Sequence, residues 1–124
     1  MAIKGIGIDL VEIDRIATSL QKDNGFRELV FAPEEISYCE SKTQKYEHYA
    51  ARFAAKEAFL KALGTGWVTG TAFNEIIVQN TATGKPELAF TGTTAQTIAA
   101  LACNHIIVSL THTKTTAGAV VVIE

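Results

Sequence analysis

Cysteine is scarce: only Cys39 and Cys103 occur in 124 residues, far apart and without Cys-x-x-Cys or zinc-finger spacing. That excludes a disulfide-framed secreted scaffold and reads as two free thiols in a reducing compartment. No apolar run approaches a membrane span, and the short one at the N-terminus is broken by Asp9, unlike a signal peptide. A cytoplasmic protein with no membrane partner is expected. An excess of basic charge is also missing: 11 Lys and Arg face 13 Asp and Glu, for a net charge of −2. This argues against a nucleic-acid binder working by blanket phosphate neutralisation, though not against a local basic site. There is no H-E-x-x-H, EF-hand loop, Walker G-x-x-x-x-G-K-[ST] or G-x-S-x-G elbow. Zinc peptidases, calcium sensors, P-loop enzymes and α/β-hydrolases are set aside accordingly. What remains is a globular chain, 48% apolar, of a length that suits one domain over residues 1–124.

The pattern along the chain is mixed α and β. Ile3 to Ile13 reads as a strand with Ile6, Ile8 and Leu10 on one face and Gly5, Gly7, Asp9 and Val11 on the other. The two glycines beside Asp9 mark either a ligand groove or tight packing against a neighbour. Ile13, Ile16, Ala17 and Leu20 give a short amphipathic helix, ended at Asp23-Asn24-Gly25, and Phe26 to Phe31 is a further helical turn. Pro33 opens another helix, with Glu34 and Glu35 at the positive end of its dipole. Beyond Gly66, an apolar run from Phe73 to Val78 and a return through Pro86, Leu88 and Phe90 form a hairpin around Asn80–Gly84. A helix is expected over Thr94–Cys103. Two strands follow, His105–Leu110 and Ala117–Glu124, joined through Thr111–Thr116. The last strand is apolar at consecutive positions, so both of its faces should be covered. The fold class is α+β, with the first strand pairing with the two C-terminal strands.

A strong helix starts at Lys45 and ends near Gly64, a residue suited to the left-handed conformation that closes helices. At about 100° per residue, Ala50, Ala54, Glu57 and Lys61 share one face, and Ala51, Ala55, Ala58 and Ala62 form another, small enough for a second backbone to approach. The bland reading of Glu57 and Lys61 is a surface i,i+4 bridge. The sharper one places Glu57 on a cavity holding a cation and Lys61 facing an anion, and the wall of alanines around them favours it. Asp9 and Glu57, two acids on separate elements, suit Mg2+, which keeps part of its hydration shell and shares phosphate oxygens with the protein. Lys61, the amides near Gly64 and the Thr111–Lys114 turn are candidate phosphate holders. Together these point to metal-assisted phosphoryl transfer or pyrophosphate cleavage. Arg52 and Lys56, like charges one turn apart, are each expected to find an acid or a phosphate. Trp67 reads as a packing residue, His48 and His105 as ordinary surface or core histidines, and a Ser109/His112 nucleophile pair is disfavoured.

Three segments resemble the bacterial holo-acyl-carrier-protein synthases, the small 4′-phosphopantetheinyl transferases: Gly5-Ile-Gly-Ile-Asp-Leu-Val-Glu-Ile-Asp-Arg-Ile16, Arg52-Phe-Ala-Ala-Lys-Glu-Ala-Phe-Leu-Lys-Ala-Leu-Gly-Thr-Gly66, and Val108-Ser-Leu-Thr-His-Thr113, with Gly84-Lys-Pro86 as a fourth, weaker match. The resemblance implies a small antiparallel sheet packed around a long central helix, assembled as a homotrimer with active sites between subunits. It implies transfer of 4′-phosphopantetheine from coenzyme A to a serine of apo acyl carrier protein, Mg2+-dependent, releasing adenosine 3′,5′-bisphosphate, in fatty-acid synthesis. By the same resemblance Asp9 and Glu57 would hold the metal, Glu57 or a metal-bound water would take the serine proton, and Lys61 would act on the leaving phosphate. Thr111, His112, Thr113, Lys85, Pro86 and Gly64 would bind coenzyme A, and Arg15, Lys22 and Phe26 the carrier protein. The region from Asp14 to Gly25 is less basic than the family's usual arginine-rich version. Two rivals stand beside this reading: a Mg2+-dependent nucleotide-pyrophosphate hydrolase and a non-catalytic nucleotide-binding module.

Overall fold

In the computed structural model, which describes residues 2–64 and 69–124, two small antiparallel sheets and five helices enclose one continuous structure. Strand β1 (Gly5–Glu12) runs into helix α1 (Ile13–Gln21), followed by α2 (Phe26–Val30), α3 (Pro33–Glu40) and the 18-residue α4 (Lys45–Ala62). A 3-10 turn (Phe73–Glu75) leads into the hairpin of β2 (Ile76–Asn80) and β3 (Pro86–Phe90); α5 (Gly92–Ala100), β4 (Ile106–His112) and β5 (Thr116–Ile123) complete the chain. No helix among the described residues is long and apolar enough to cross a membrane. Trp67, with the Thr65-Gly66 end of the Gly-Thr-Gly corner, lies outside the described residues.

The larger sheet has the order β1-β5-β4. The expectation that β1 pairs with both C-terminal strands is therefore corrected: β5 lies in the middle and β1 meets it alone, with Asp9 opposite Ala119 and Ala119 opposite Leu110. The middle position goes to the strand with an apolar residue on each face at successive positions. Its inward residues Ala117, Ala119, Val121 and Ile123 are buried, while Val120 and Val122 on the outward face are only half-buried. Within one chain that outward face is open, contrary to the expectation that both faces are covered.

Helix α4 lies across the inward face, and the glycines of β1 make the contact possible. A Cβ placed on Gly5 or Gly7 would run into the carbonyl oxygens of Ala62 or Ala58. Of the two readings of these glycines, close backbone packing is the one the structure shows. Ala58 and Ala62 on the alanine face of α4 are thus covered by β1 of the same chain. Ile6, Ile8 and Leu10 point the other way and are 66%, 66% and 71% exposed. Around the first half of α4, Ile13, Ile16, Leu20, Phe31 and Tyr49 form a second core region, with the Phe31 and Tyr49 rings edge-to-face at 4.9 Å.

Of the like-charged pair Arg52 and Lys56, both are buried, and Lys56 finds an acid as expected. Lys56 and Glu35 form an ion pair at 2.6 Å with both side chains fully buried. Glu35, expected only to complement a helix dipole, also accepts the Ala32 amide as a cap at 3.0 Å. Helix α5 stops at Ala100, short of the expected Cys103, because Ala102 takes a left-handed φ of 53° that no helix continues through. Strand β4 runs on to His112, so the loop expected over Thr111–Thr116 contracts to a tight turn before Thr116.

Candidate active site

A cleft of about 440 Å3 opens where β1, α1, α2 and α4 converge. Asp9 from β1 and Phe53, Glu57 and Lys61 from α4 line it together with Arg15 and Ser19 of α1 and Phe26 of α2. Gly7 brings β1 against α4, and this close approach carries Asp9 alongside the Glu57 face of the helix. Lys61 is exposed and donates from Nζ to Asp9 Oδ1 at 2.9 Å and to the Ile8 carbonyl at 3.1 Å. The surface i,i+4 bridge is not formed: Glu57 lines the cleft, as the sharper reading has it, and the ammonium joins the two elements by binding Asp9. The hydrogen bond it donates to that carboxylate, then the carboxylate's charge, raise the Lys61 pKa. Burial raises the Glu57 carboxyl above the usual range, and repulsion from Asp9 adds to it against the opposing Lys61.

Two acids that repel each other in a half-buried cleft are a fit for a divalent cation. Among the described residues there is no group of three or more His, Cys, Asp and Glu side chains able to cage a metal. Zinc and calcium-sensor centres normally need such a set, whereas Mg2+ binds through one or two carboxylates and completes its shell with water and substrate phosphate. Asp9 and Glu57 fit Mg2+ on that ground.

A second cleft, about 270 Å3, lies around the first half of α4 and gathers Arg52, His48 and Glu47 with Gly84 and Pro86 of the hairpin and Thr111 and His112 of β4. Arg52 is 3% exposed. Its guanidinium carbon lies 4.3 Å over the Tyr38 ring, and its Nε has no hydrogen-bond partner among the described residues. A buried, unsatisfied cationic donor at a cleft wall marks a place for an anion. Burial lowers the His48 pKa, and the positive charges of Arg52 and Lys42 lower it further. His112 Nδ1 stands 3.7 Å from Glu47 Oε2. Ser109 and His112, three residues apart on one strand, emerge on opposite faces and form no nucleophile pair.

The residues expected to act together are therefore split on one chain. Asp9, Glu57, Lys61, Arg15 and Phe26 share the first cleft; Thr111, His112 and Pro86 share the second. Lys22 stands exposed at the end of α1 on a shallow surface it shares with Arg15. Lys85 and Thr113 are exposed in the two turns beside the second cleft and line neither cavity. Gly64 takes the expected left-handed φ of 85° after α4 and lines neither cleft. Sequence reasoning missed Ser19, Phe53 and His48 as lining residues. His48 and Ser19 carry no local signal that distinguishes them from ordinary surface positions, and Phe53 reads as core.

The 4′-phosphopantetheinyl transferase superfamily model matches residues 5–120. The holo-[acyl-carrier-protein] synthase of Cytophaga hutchinsonii is 48% identical over 118 residues, covering 90% of each chain. The crystal structure of the Neisseria meningitidis holo-[acyl-carrier-protein] synthase superposes with a TM-score of 0.90 at 31% identity, covering 99% of each chain. The Bacillus anthracis synthase in complex with CoA (3′,5′-ADP) matches with a TM-score of 0.80 at 35% identity, covering 98% of this chain and 96% of that one. With the superfamily pattern running from β1 into β5 and the same arrangement of sheet and helices, the chain belongs to the 4′-phosphopantetheinyl transferase superfamily.

Proposed function

We propose that this protein is a holo-acyl-carrier-protein synthase. It moves 4′-phosphopantetheine from coenzyme A to a serine of an apo acyl carrier protein, with Mg2+ as cofactor, for fatty-acid synthesis. The observation that carries the reading is the first cleft, where Asp9, Glu57 and Lys61 share one cavity with Arg15 and Phe26. Phosphate-handling groups and a surface for a protein acceptor adjoin there. The serine oxygen forms a bond to the β-phosphorus of coenzyme A. The bond from that phosphorus to the bridging oxygen breaks, and adenosine 3′,5′-bisphosphate leaves. Mg2+, when bound by Asp9 and Glu57, supplies positive charge to the pyrophosphate. In this reading Glu57 or a metal-bound water takes the serine proton, and Lys61, released from Asp9, neutralises the departing phosphate. Arg15 attracts the acidic carrier, with Phe26 and Phe53 forming an apolar wall beside it, their rings 6.4 Å apart.

The second cleft takes the nucleotide end of coenzyme A, with the Arg52 guanidinium and the histidines toward its phosphate. Because the two clefts lie apart on one chain, the complete site belongs between subunits of a homotrimer. The open sheet face supports this: Ile6, Ile8 and Leu10, with the 47%-exposed Ile107, form an apolar surface that a monomer seldom leaves in water. The test is intact mass spectrometry of apo acyl carrier protein incubated with the protein, coenzyme A and Mg2+, with an EDTA control. A mass gain of one phosphopantetheine arm that disappears with EDTA is expected. Consumption of coenzyme A without that gain would instead establish a hydrolase, and binding without turnover a nucleotide-binding module.

A further inference from the structure

Glu35 and Lys56 line neither cleft, yet they form a fully buried ion pair. Lys56 Nζ donates to Glu35 Oε1 at 2.6 Å, to the Phe73 carbonyl at 2.8 Å and to the Ile76 carbonyl at 2.6 Å. Glu35 Oε2 accepts the Val78 amide at 3.0 Å. Ile76 and Val78 belong to β2, whose only strand partner among the described residues is β3. The ion pair therefore satisfies backbone groups that a third strand would otherwise meet, and it ties β2 to α3 and α4 at once. Further along the strand, Asn80 Nδ2 donates to the Tyr38 hydroxyl at 3.0 Å, and Tyr38 carries the Arg52 guanidinium on its ring. Asn80, Gly84 and Pro86, at the far end of the hairpin, line the Arg52 cleft. Lys56 lies one turn beyond Arg52 on α4, so the register of β2 on Lys56 fixes the distance between the hairpin tip and Arg52. Removing both charges from such a pair has a small net effect on stability compared with breaking it, and its use lies in specifying one arrangement.

We infer that Glu35 and Lys56 are a positioning pair for the nucleotide side of the site: they hold the β2–β3 hairpin at the separation from Arg52 that the nucleotide end of coenzyme A requires, without touching it. The inference rests on the second cleft being that nucleotide site. The test compares wild type with the double variant Glu35→Gln/Lys56→Gln, which removes both charges and keeps neutral hydrogen-bonding groups at both positions. Calorimetric titration with adenosine 3′,5′-bisphosphate and steady-state kinetics provide separate readouts. A rise of about tenfold in Kd for the bisphosphate and in KM for coenzyme A is expected, with KM for the carrier protein and kcat within about twofold. Lys56→Arg should recover part of the loss. A folded double variant with unchanged Kd and KM for coenzyme A overturns the inference. So does an equal loss in kcat and both KM values, which would show a general structural role. If wild type itself does not bind the bisphosphate, the reading of the cleft fails and takes this inference with it. Should the double variant not fold, amide exchange in wild type decides. Bound bisphosphate should slow Val78 N–H exchange about tenfold, and an unchanged rate overturns the coupling.

Discussion

Asp9 and Glu57 are held in one half-buried cleft at an electrostatic cost that only a cation or a proton relieves. Lys61 relieves Asp9 in the unliganded chain, which leaves Glu57 the more strained of the two. Asp9→Asn and Glu57→Gln each keep the shape of the side chain and remove its charge. Each should lower kcat/KM for transfer by about 100- to 1,000-fold, with an unchanged circular dichroism spectrum. Full Mg2+-dependent activity in either variant would sink the metal assignment. His48 provides a second check at this scale. Its pKa is held below the ordinary 6.5 by burial and by Arg52 and Lys42, so the unfolded chain binds the proton more readily than the folded one. The native state therefore loses stability as pH falls through the region below 6.5, and keeps it above. An NMR titration should show His48 protonating below its usual range in the free protein. The midpoint should move upward when adenosine 3′,5′-bisphosphate occupies the Arg52 cleft, because an anion there reverses the sign of the local field.

At the scale of elements, the position of the site depends on how closely β1 can approach α4. Gly7 faces the Ala58 carbonyl so tightly that no side chain fits without moving one backbone from the other. Gly7→Ala should cost about 3 kcal/mol or more in urea unfolding, near the upper end for overpacking, and any folded fraction should lose transfer activity because Asp9 shifts from Glu57. A Cβ on Gly25, by contrast, would meet nothing within 4 Å, and what the glycine supplies is the φ of 86° that begins α2. An alanine there would strain the backbone but leave the cleft in place. The pairing of β2 with β3 and the ion pair behind it do for the second cleft what the glycines of β1 do for the first.

For the whole molecule, the open face of the β1-β5-β4 sheet is the decisive feature. Side chains at Ile8 and Leu10 are more exposed than a solvated sheet surface normally tolerates for large aliphatics. Light scattering behind size exclusion should give the mass of three chains for wild type. The Ile8→Asp/Leu10→Asp variant should run as a folded monomer with at least about tenfold lower activity, since each chain alone separates the two halves of the site. A wild type that is active and monomeric at assay concentration would overturn the intersubunit site.

Much of this was legible in the residues alone. The order and type of elements followed from periodicity, glycine and proline, because those signals are local: an alternation of two in Ile6-Gly7-Ile8-Asp9-Leu10, a helical composition from Lys45 onward, a left-handed residue at Gly64. The acids Asp9 and Glu57 could be named because a carboxylate in an apolar setting is conspicuous in any fold. What the tertiary structure decided was every question of partner. Lys61 meets Asp9 and not the acid one turn before it; Lys56 finds Glu35 across the chain; the alanine face of α4 receives β1 of the same molecule. Arg52 and His48 gained their place at a cleft only when the hairpin and β4 closed around them. Charge pairing and cavity lining depend on distances between segments far apart in sequence. Local pattern carries no information about those distances until the core has fixed them.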